Sequence, residues 1–251
     1  MKRKKRLRDN KLLLNLYQIY KYIIFFPFLG LSTVVLACFA LPTVFIFKAD
    51  RIGRKFGRIW SRFNAYMTPM FVSVLGMENI DPDRSYIVVA NHLSLYDILA
   101  VYGWLPMDFR YVMKMELRRV PIMGYSAEKI GHICIDRSNT ERAITTINAA
   151  RDKISDGTSI FFFPEGKRSS TNAMLPFKKG AFRLALDMQL PVVPITIIGT
   201  NDIVPTDTIS LFPGKVKIIV HKPLDITTYT HDSMHQLMDD ARKIIKSGYG
   251  K

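Results

Sequence analysis

The sequence predicts an α/β domain: a largely parallel central sheet flanked by helices, preceded by a membrane-embedded helical hairpin and an interfacial basic helix. Three observations predict it. Short runs rich in Val, Ile and Phe alternate with longer amphipathic stretches, the pattern of strands buried on both faces and joined by helical crossovers. A long uncharged stretch lies close to the N-terminus. The charge is lopsided as well. Residues 1–62 hold 14 of the 36 Lys and Arg but 2 of the 21 Asp and Glu, and the remaining chain is nearly balanced. The natural division is 1–68 as basic and apolar membrane-binding helices and 69–251 as the α/β domain. A basic excess confined to one end gives the α/β part no footprint for nucleic acid, so no nucleic-acid partner is expected.

In the N-terminal part, Lys2–Arg8 is a basic run, and Tyr22–Phe47 carries no charge. As a helix the uncharged stretch would be about 39 Å long, against the roughly 30 Å of a hydrocarbon core. Pro27 and Pro42 fall inside it and argue against one straight rod. Basic residues flank both ends, which places both flanks on the cytoplasmic side. A re-entrant hairpin satisfies that, whereas a single straight span does not; a single bilayer span is the alternative for this stretch. Residues 50–67 then combine Arg51, Arg54, Lys55, Arg58 and Arg62 with an apolar stripe of Ile52, Phe56, Trp60, Phe63 and Met67. That is the composition of a helix lying on anionic lipid. The expected location is a cell inner membrane or its equivalent, with the α/β domain on the cytoplasmic face.

Further along, strands are expected at 71–76, 86–90, 109–114, 132–137, 159–163, 191–199 and 215–221. Helices are expected at 94–105, 116–130 (broken near Pro121 and Gly124), 140–155, 179–188 and 231–247. Two cysteines with no CxxC spacing suggest neither a disulfide framework nor a zinc site. His231 and His235 stand four apart in an expected helix, a spacing that suits a metal, but no third ligand lies near them in sequence and no metal is expected. GxSxG, GxxxxGK[ST] and GxGxxG are all absent, which removes the main support for serine hydrolase, nucleotide triphosphatase and dinucleotide chemistry.

The chemistry gathers around Asn91-His92-Leu93-Ser94-Leu95-Tyr96-Asp97, where a strand gives way to a helix. Ser94 and Asp97 have the spacing of a capping box. His92, one turn before the helix, can fold back on Asp97, which would fix one ring nitrogen as donor and leave the other as a base. A plain helix cap is the competing reading. After the next apolar strand, Pro164-Glu165-Gly166-Lys167-Arg168-Ser169 combines a turn residue, cations, a hydroxyl and backbone N–H groups. Those are the parts of a phosphate pocket, although an ordinary polar loop has them too. Glu165 would accept from an acceptor hydroxyl or hold Arg168. Lys114 and Arg137 close other strands at the same sheet edge, and Lys178 and Lys179 precede a helix.

These blocks, in order, resemble the glycerolipid acyltransferases that carry an NHxSxxD motif, and among them the 1-acylglycerol-3-phosphate (lysophosphatidic acid) acyltransferases. The matching residues are Asn91–Asp97; Lys114–Leu117 through Pro121, Gly124 and Ile135-Asp136-Arg137; Phe163–Ser169; and Val193-Pro194-Ile195. Lys167 departs from the small or hydroxylated residue frequent there. The resemblance implies acyl transfer from an acyl-CoA or acyl carrier protein thioester to the free hydroxyl of lysophosphatidic acid, giving phosphatidic acid. It implies no cofactor beyond that co-substrate, and its partners would be both substrates, the phospholipid membrane and, for one donor type, acyl carrier protein. It further implies His92 as general base and Asp97 as the residue orienting it. Arg137, Glu165, Gly166 and Arg168 would bind the acceptor and its phosphate, with Lys114 and Ser169 as weaker members. Asn91, Ser94, Pro164 and Pro194 support the motifs. Another lysolipid or glycerol 3-phosphate as acceptor, an acyl-Ser94 intermediate, and an idle membrane-binding module are the alternatives.

Overall fold

The computed structural model describes residues 11–47, 50–136, 145–146, 157–169 and 173–250. Seven strands form one sheet: β1 (Met70–Leu75), β2 (Ile87–Ala90), β3 (Asp108–Lys114), β4 (Ile133–Ile135), β5 (Thr158–Phe162), β6 (Val192–Ile198) and β7 (Gly214–Val220). Their spatial order is β1-β7-β6-β2-β5-β3-β4. The five strands from β6 to β4 run parallel, and the β7–β1 pair runs antiparallel to them. Every residue of β2 and β5 is buried, because both faces of the sheet are covered. Val88 and Ala90 face one apolar layer, while Ile87 and Val89 face the other, as the two-residue strand period requires.

The first layer holds α4 (Tyr96–Trp104) and the N-terminal helices; the second holds α6 (Gly180–Met188) and α8 (Met234–Ser247). Between them in sequence lie α5 (Met123–Lys129) and the one-turn α7 (Thr200–Ile203). The helix expected at 140–155 lies almost wholly outside the described residues, as does Arg137.

Two N-terminal expectations are corrected. The uncharged stretch does not bend back within itself. It continues α1 (Lys11–Tyr20) through a π-helical turn (Lys21–Phe25) into α2 (Phe26–Phe45). The π turn lies immediately before Pro27, which therefore sits near the N-terminus of α2, where a proline is tolerated. Pro42 comes in the last turn, where few later residues depend on it. Leu12–Phe45 is thus a helix of 34 residues, long and apolar enough to cross a membrane by length and composition. The hairpin is made instead by α2 and α3 (Asp50–Met67), joined by polar contacts in an apolar seam: Trp60 Nε1 donates to Thr33 Oγ1 (2.9 Å) and Asn64 Nδ2 to Ser32 Oγ (3.1 Å).

The second correction concerns the arginines of α3. Arg54 donates twice to Asp108 at 2.6 Å, and Arg58 reaches the carbonyls of Leu105 and Met107, both at 3.0 Å. Arg62 bonds the Gly103 carbonyl at 2.7 Å. Gly103 and Leu105 end α4, so Arg58 and Arg62 cap the negative end of that helix while Arg54 pairs with Asp108; Arg51, Lys55 and Arg62 remain exposed. The exposed side of α3 includes Ile52, Ile59, Phe63 and Tyr66.

Candidate active site

β2 and β5 end almost together, with Val89 opposite Phe162, while β6 pairs Pro194 with Val89 and runs on past both ends to Ile198. Residues just beyond those ends therefore meet, at the edge where open α/β sheets bind ligands. Asn91 extends β2 by one step. Its side-chain amide donates to Ile197 O and accepts from Ile197 N, both at 2.8 Å, imitating the backbone pairing that the turn interrupts. Pro194 fits in β6 because its carbonyl, and hence its nitrogen, faces the β7 side beyond the last registered pair. There the His221 N–H donates to it at 3.0 Å.

The turn from β2 to α4 is built on Asp97, which is fully buried. One carboxylate oxygen accepts from His92 Nδ1 (2.8 Å), Leu93 N (2.7 Å) and Ser94 N (2.9 Å). The same side chain thus caps the helix and grips the histidine, so the two readings of the motif are both true of the geometry. The carboxylate oxygen already accepts from two amides, so Nδ1 is the protonated ring nitrogen and Nε2 carries the lone pair. The other Asp97 oxygen is buried with no hydrogen-bond partner among the described residues. Phe163 stacks flat on the imidazole, 4.0 Å between centroids and 15° between planes. The Ser94 hydroxyl is fully buried, donates to Val204 O (2.7 Å) and accepts from Tyr96 N (3.1 Å).

The loop after β5 is tied to this turn by its backbone. Glu165, also buried, accepts from His92 N (2.8 Å) with one oxygen and from Leu175 N (2.7 Å) with the other. Burial pushes its carboxyl above the usual range, and those two amides pull the other way. Both oxygens are therefore occupied by amides, and among the described residues Arg168 has no ion-pair partner. Ser169 is buried, and its amide donates to His92 O at 3.0 Å. Gly166 has φ +75°, and a Cβ there would meet Lys178 Cε at 2.8 Å. The Lys178 stem thus lies over the loop, and its amide donates to Pro164 O at 2.8 Å. The amides of Lys167 and Arg168 make no hydrogen bond among the described residues, which leaves them open to an anion.

Lys114 ends β3 at the same edge, exposed and paired with Glu116 at 2.8 Å. His231 and His235 do not share a helix. α8 begins at Met234, and His231 pairs with Asp187 at 3.1 Å. Sequence reasoning gave no role to Phe163, none to Thr206, whose hydroxyl meets the Leu93 carbonyl at 2.5 Å, and none to Tyr249. Burial, together with the nearby charges of Glu165 and Asp97, raises the Tyr249 hydroxyl to about 12. The stacking aromatic was legible as part of its motif; Thr206 and Tyr249 stand in no recognisable pattern.

A family model described as Acyltransferase matches residues 71–198, just over half the chain and all the elements named above from β1 through β6. The chain belongs to the acyltransferase family. Among curated proteins, this acyltransferase is 35% identical over 224 residues to a 1-acyl-sn-glycerol-3-phosphate acyltransferase of Chlamydomonas reinhardtii, covering 87% of this chain and 65% of that protein. It is 30% identical over 223 residues to the human 1-acyl-sn-glycerol-3-phosphate acyltransferase alpha, covering 88% and 79%. The chain spans between about half and two thirds of the length of the algal and plant relatives it matches. The crystal structure of the 1-acyl-sn-glycerophosphate (LPA) acyltransferase PlsC from Thermotoga maritima superposes with a TM-score of 0.78 at 28% identity, over 95% of both chains. The α/β architecture and the long apolar N-terminal helix are thus those of a known acyltransferase.

Proposed function

We propose that this acyltransferase transfers a fatty acyl group from an acyl-CoA or acyl carrier protein thioester to the free hydroxyl of 1-acylglycerol 3-phosphate, at a membrane surface. The observation that carries the reading is the His92–Asp97 contact of 2.8 Å, set beside a loop that has a cation and two amides without a hydrogen bond among the described residues. His92 Nε2 takes the proton of the acceptor hydroxyl as its oxygen attacks the thioester carbonyl. The tetrahedral intermediate then collapses, the C–S bond breaks, and the imidazolium returns the proton to the departing thiolate. The products are an ester and a free thiol, with no cofactor consumed. Asp97 stabilises the imidazolium between the two transfers. Proton transfer of this kind contributes roughly 10²–10⁴-fold, and holding both substrates at one edge adds to it.

In this reading the phosphate is held by Arg168, the Lys167 and Arg168 amides and Lys178, with Gly166 shaping the turn that presents them and Lys114 and Arg137 as cations from neighbouring strand ends. Glu165 and Ser169 position the loop through the backbone contacts described above. The buried, doubly engaged Ser94 hydroxyl supports direct transfer over an acyl-serine intermediate. The exposed apolar faces of α1, α2 and α3 support immersion of the hairpin in one leaflet, with the catalytic edge at the cytoplasmic surface. The names of the relatives favour lysophosphatidic acid as acceptor, with other lysolipids and glycerol 3-phosphate as the competing choices.

The test is a panel on purified protein in phospholipid vesicles. Two donors are crossed with lysophosphatidic acid, other lysophospholipids and glycerol 3-phosphate, and products are separated by chromatography. Phosphatidic acid from lysophosphatidic acid alone is expected. Full activity of folded His92→Ala would end the general-base reading.

A further inference from the structure

We propose that Thr206 is a positioning residue for His92, and that residues 204–211 form a strut linking the catalytic turn to the buried ammonium of Lys21. The proposal rests on His92 acting as the base.

Thr206 follows α7, far in sequence from both loops of the site. Its hydroxyl has a single proton and lies 2.5 Å from Leu93 O and 3.0 Å from Ser169 O. Leu93 follows His92, and the Ser169 amide is the one that bonds the His92 carbonyl. One hydroxyl thus touches the backbone of both loops that frame the imidazole. Two residues earlier, Val204 O takes the Ser94 hydroxyl at 2.7 Å. The two residues after His92 are therefore both fastened to one short segment. That segment is held at its base, where Phe212 N donates to Ile203 O (2.9 Å) and Thr206 N to Asn201 Oδ1 (2.9 Å).

The far end of the segment meets the N-terminal helix. Lys21 Nζ donates to Ile209 O at 3.0 Å, and Gln18 Nε2 to Leu211 O at 3.3 Å. Lys21 is 3% exposed and opens the π turn, and its ammonium lies 4.2 Å from the centroid of the Tyr22 ring. A buried ammonium is costly unless it is hydrogen-bonded, so the lysine holds this carbonyl firmly. The Ile209 side chain is 67% exposed, so packing of that side chain does not fix the carbonyl, and the lysine contact does. Polar contacts at the two ends of this segment, with its backbone between them, therefore join the helix proposed to sit in lipid to the residue after the base. Seating of that helix and placement of Nε2 are tied together by it.

The test uses the full chain in vesicles, with thiol release from an acyl-CoA presented with lysophosphatidic acid. Thr206→Val keeps the shape and loses the hydroxyl; Thr206→Ser keeps the hydroxyl. Thr206→Val is expected to lower kcat about tenfold or more with KM for both substrates within about twofold, because a small misplacement of a reacting group costs rate. Thr206→Ser should restore kcat to within about twofold of the parent. A folded Thr206→Val protein with parental kcat overturns the role of Thr206, and so does a Thr206→Ser protein as slow as Thr206→Val. Lys21→Met should also lower kcat, and the double variant Lys21→Met/Thr206→Val should be no slower than the slower single one. Multiplying losses would mean independent sites and overturn the strut. His92→Ala is the reference. If it is inactive while Thr206→Val is normal, only the strut falls; if it is active, the base falls and Thr206 has nothing to position.

Discussion

Replacing Asp97 by Asn tests the centre of the site with a change of one atom. The carboxylate oxygen that faces His92 accepts three hydrogen bonds, so the new side chain keeps its oxygen there and turns its NH2 toward the position of the other oxygen, which has no partner among the described residues. The turn and the cap then survive, and the protonated Nδ1 keeps an acceptor. What disappears is the negative charge beside the imidazolium. Two unit charges roughly 4 Å apart at an effective dielectric of about 20 attract by about 4 kcal/mol. At about 1.4 kcal/mol per decade, kcat should fall roughly a thousandfold. Leaving the new NH2 buried without an acceptor costs about 1–3 kcal/mol of stability, so the variant should still fold. The assay is initial-rate acyl transfer in vesicles at saturating substrate, with circular dichroism and a melting curve as control. A folded Asp97→Asn enzyme within tenfold of the parent would refute the electrostatic argument.

Three other outcomes are expected. His132 is buried, and burial with the nearby Arg54 and Arg110 lowers its imidazole from 6.5 to about 3, so it is neutral in the fold and charged in the unfolded chain below 6.5. The unfolded state then binds the extra proton, and stability should drop by about 2 kcal/mol between pH 6.5 and 5, a slope that His132→Gln should flatten in urea titrations. Gly166→Ala puts a Cβ into a left-handed backbone position and against Lys178, which should cost about 1–2 kcal/mol locally and raise KM for the phosphate-bearing acceptor more than for the donor. Asn91→Ala removes both bonds to Ile197 and leaves its buried N–H and C=O unpaired; a loss of about 2–5 kcal/mol is expected from the shift in chemical-denaturation midpoint.

Much of this could be read from the chain because it is local. The strands around the site are β-branched or aromatic runs, and His92 and Asp97 lie five residues apart in one turn. The α/β class followed from the alternation of apolar runs and amphipathic stretches. The parts that could not be read depend on which surfaces meet. Helical spacing placed Arg54, Arg58 and Arg62 on α3 but could not reveal that Asp108 would meet the first and the C-terminal end of α4 the other two. The prolines suggested a bend, and nothing in Tyr22–Phe47 signals the π turn that accommodates Pro27. Glu165 looked like a partner for Arg168 or for a substrate hydroxyl; only the folded loops bring the His92 and Leu175 amides to it. Thr206 lies 113 residues from the carbonyl it touches.

The inward turn of the α3 arginines also sets how the protein should respond to salt and temperature. A helix that offered five cations to lipid would be held by a force that is screened as ionic strength rises. Here Arg54, Arg58 and Arg62 are engaged with Asp108 and with carbonyls, while Ile52, Ile59, Phe63 and Tyr66 are exposed. In the proposed membrane-bound state the apolar part of adhesion through that face is expected to be little affected by molar salt and weaker on cooling, and the exposed Arg51, Lys55 and Arg62 add a part that salt screens. In the same proposal the basic run Lys2–Arg8 joins those exposed cations in attraction to anionic lipid, so what salt removes should be their joint contribution.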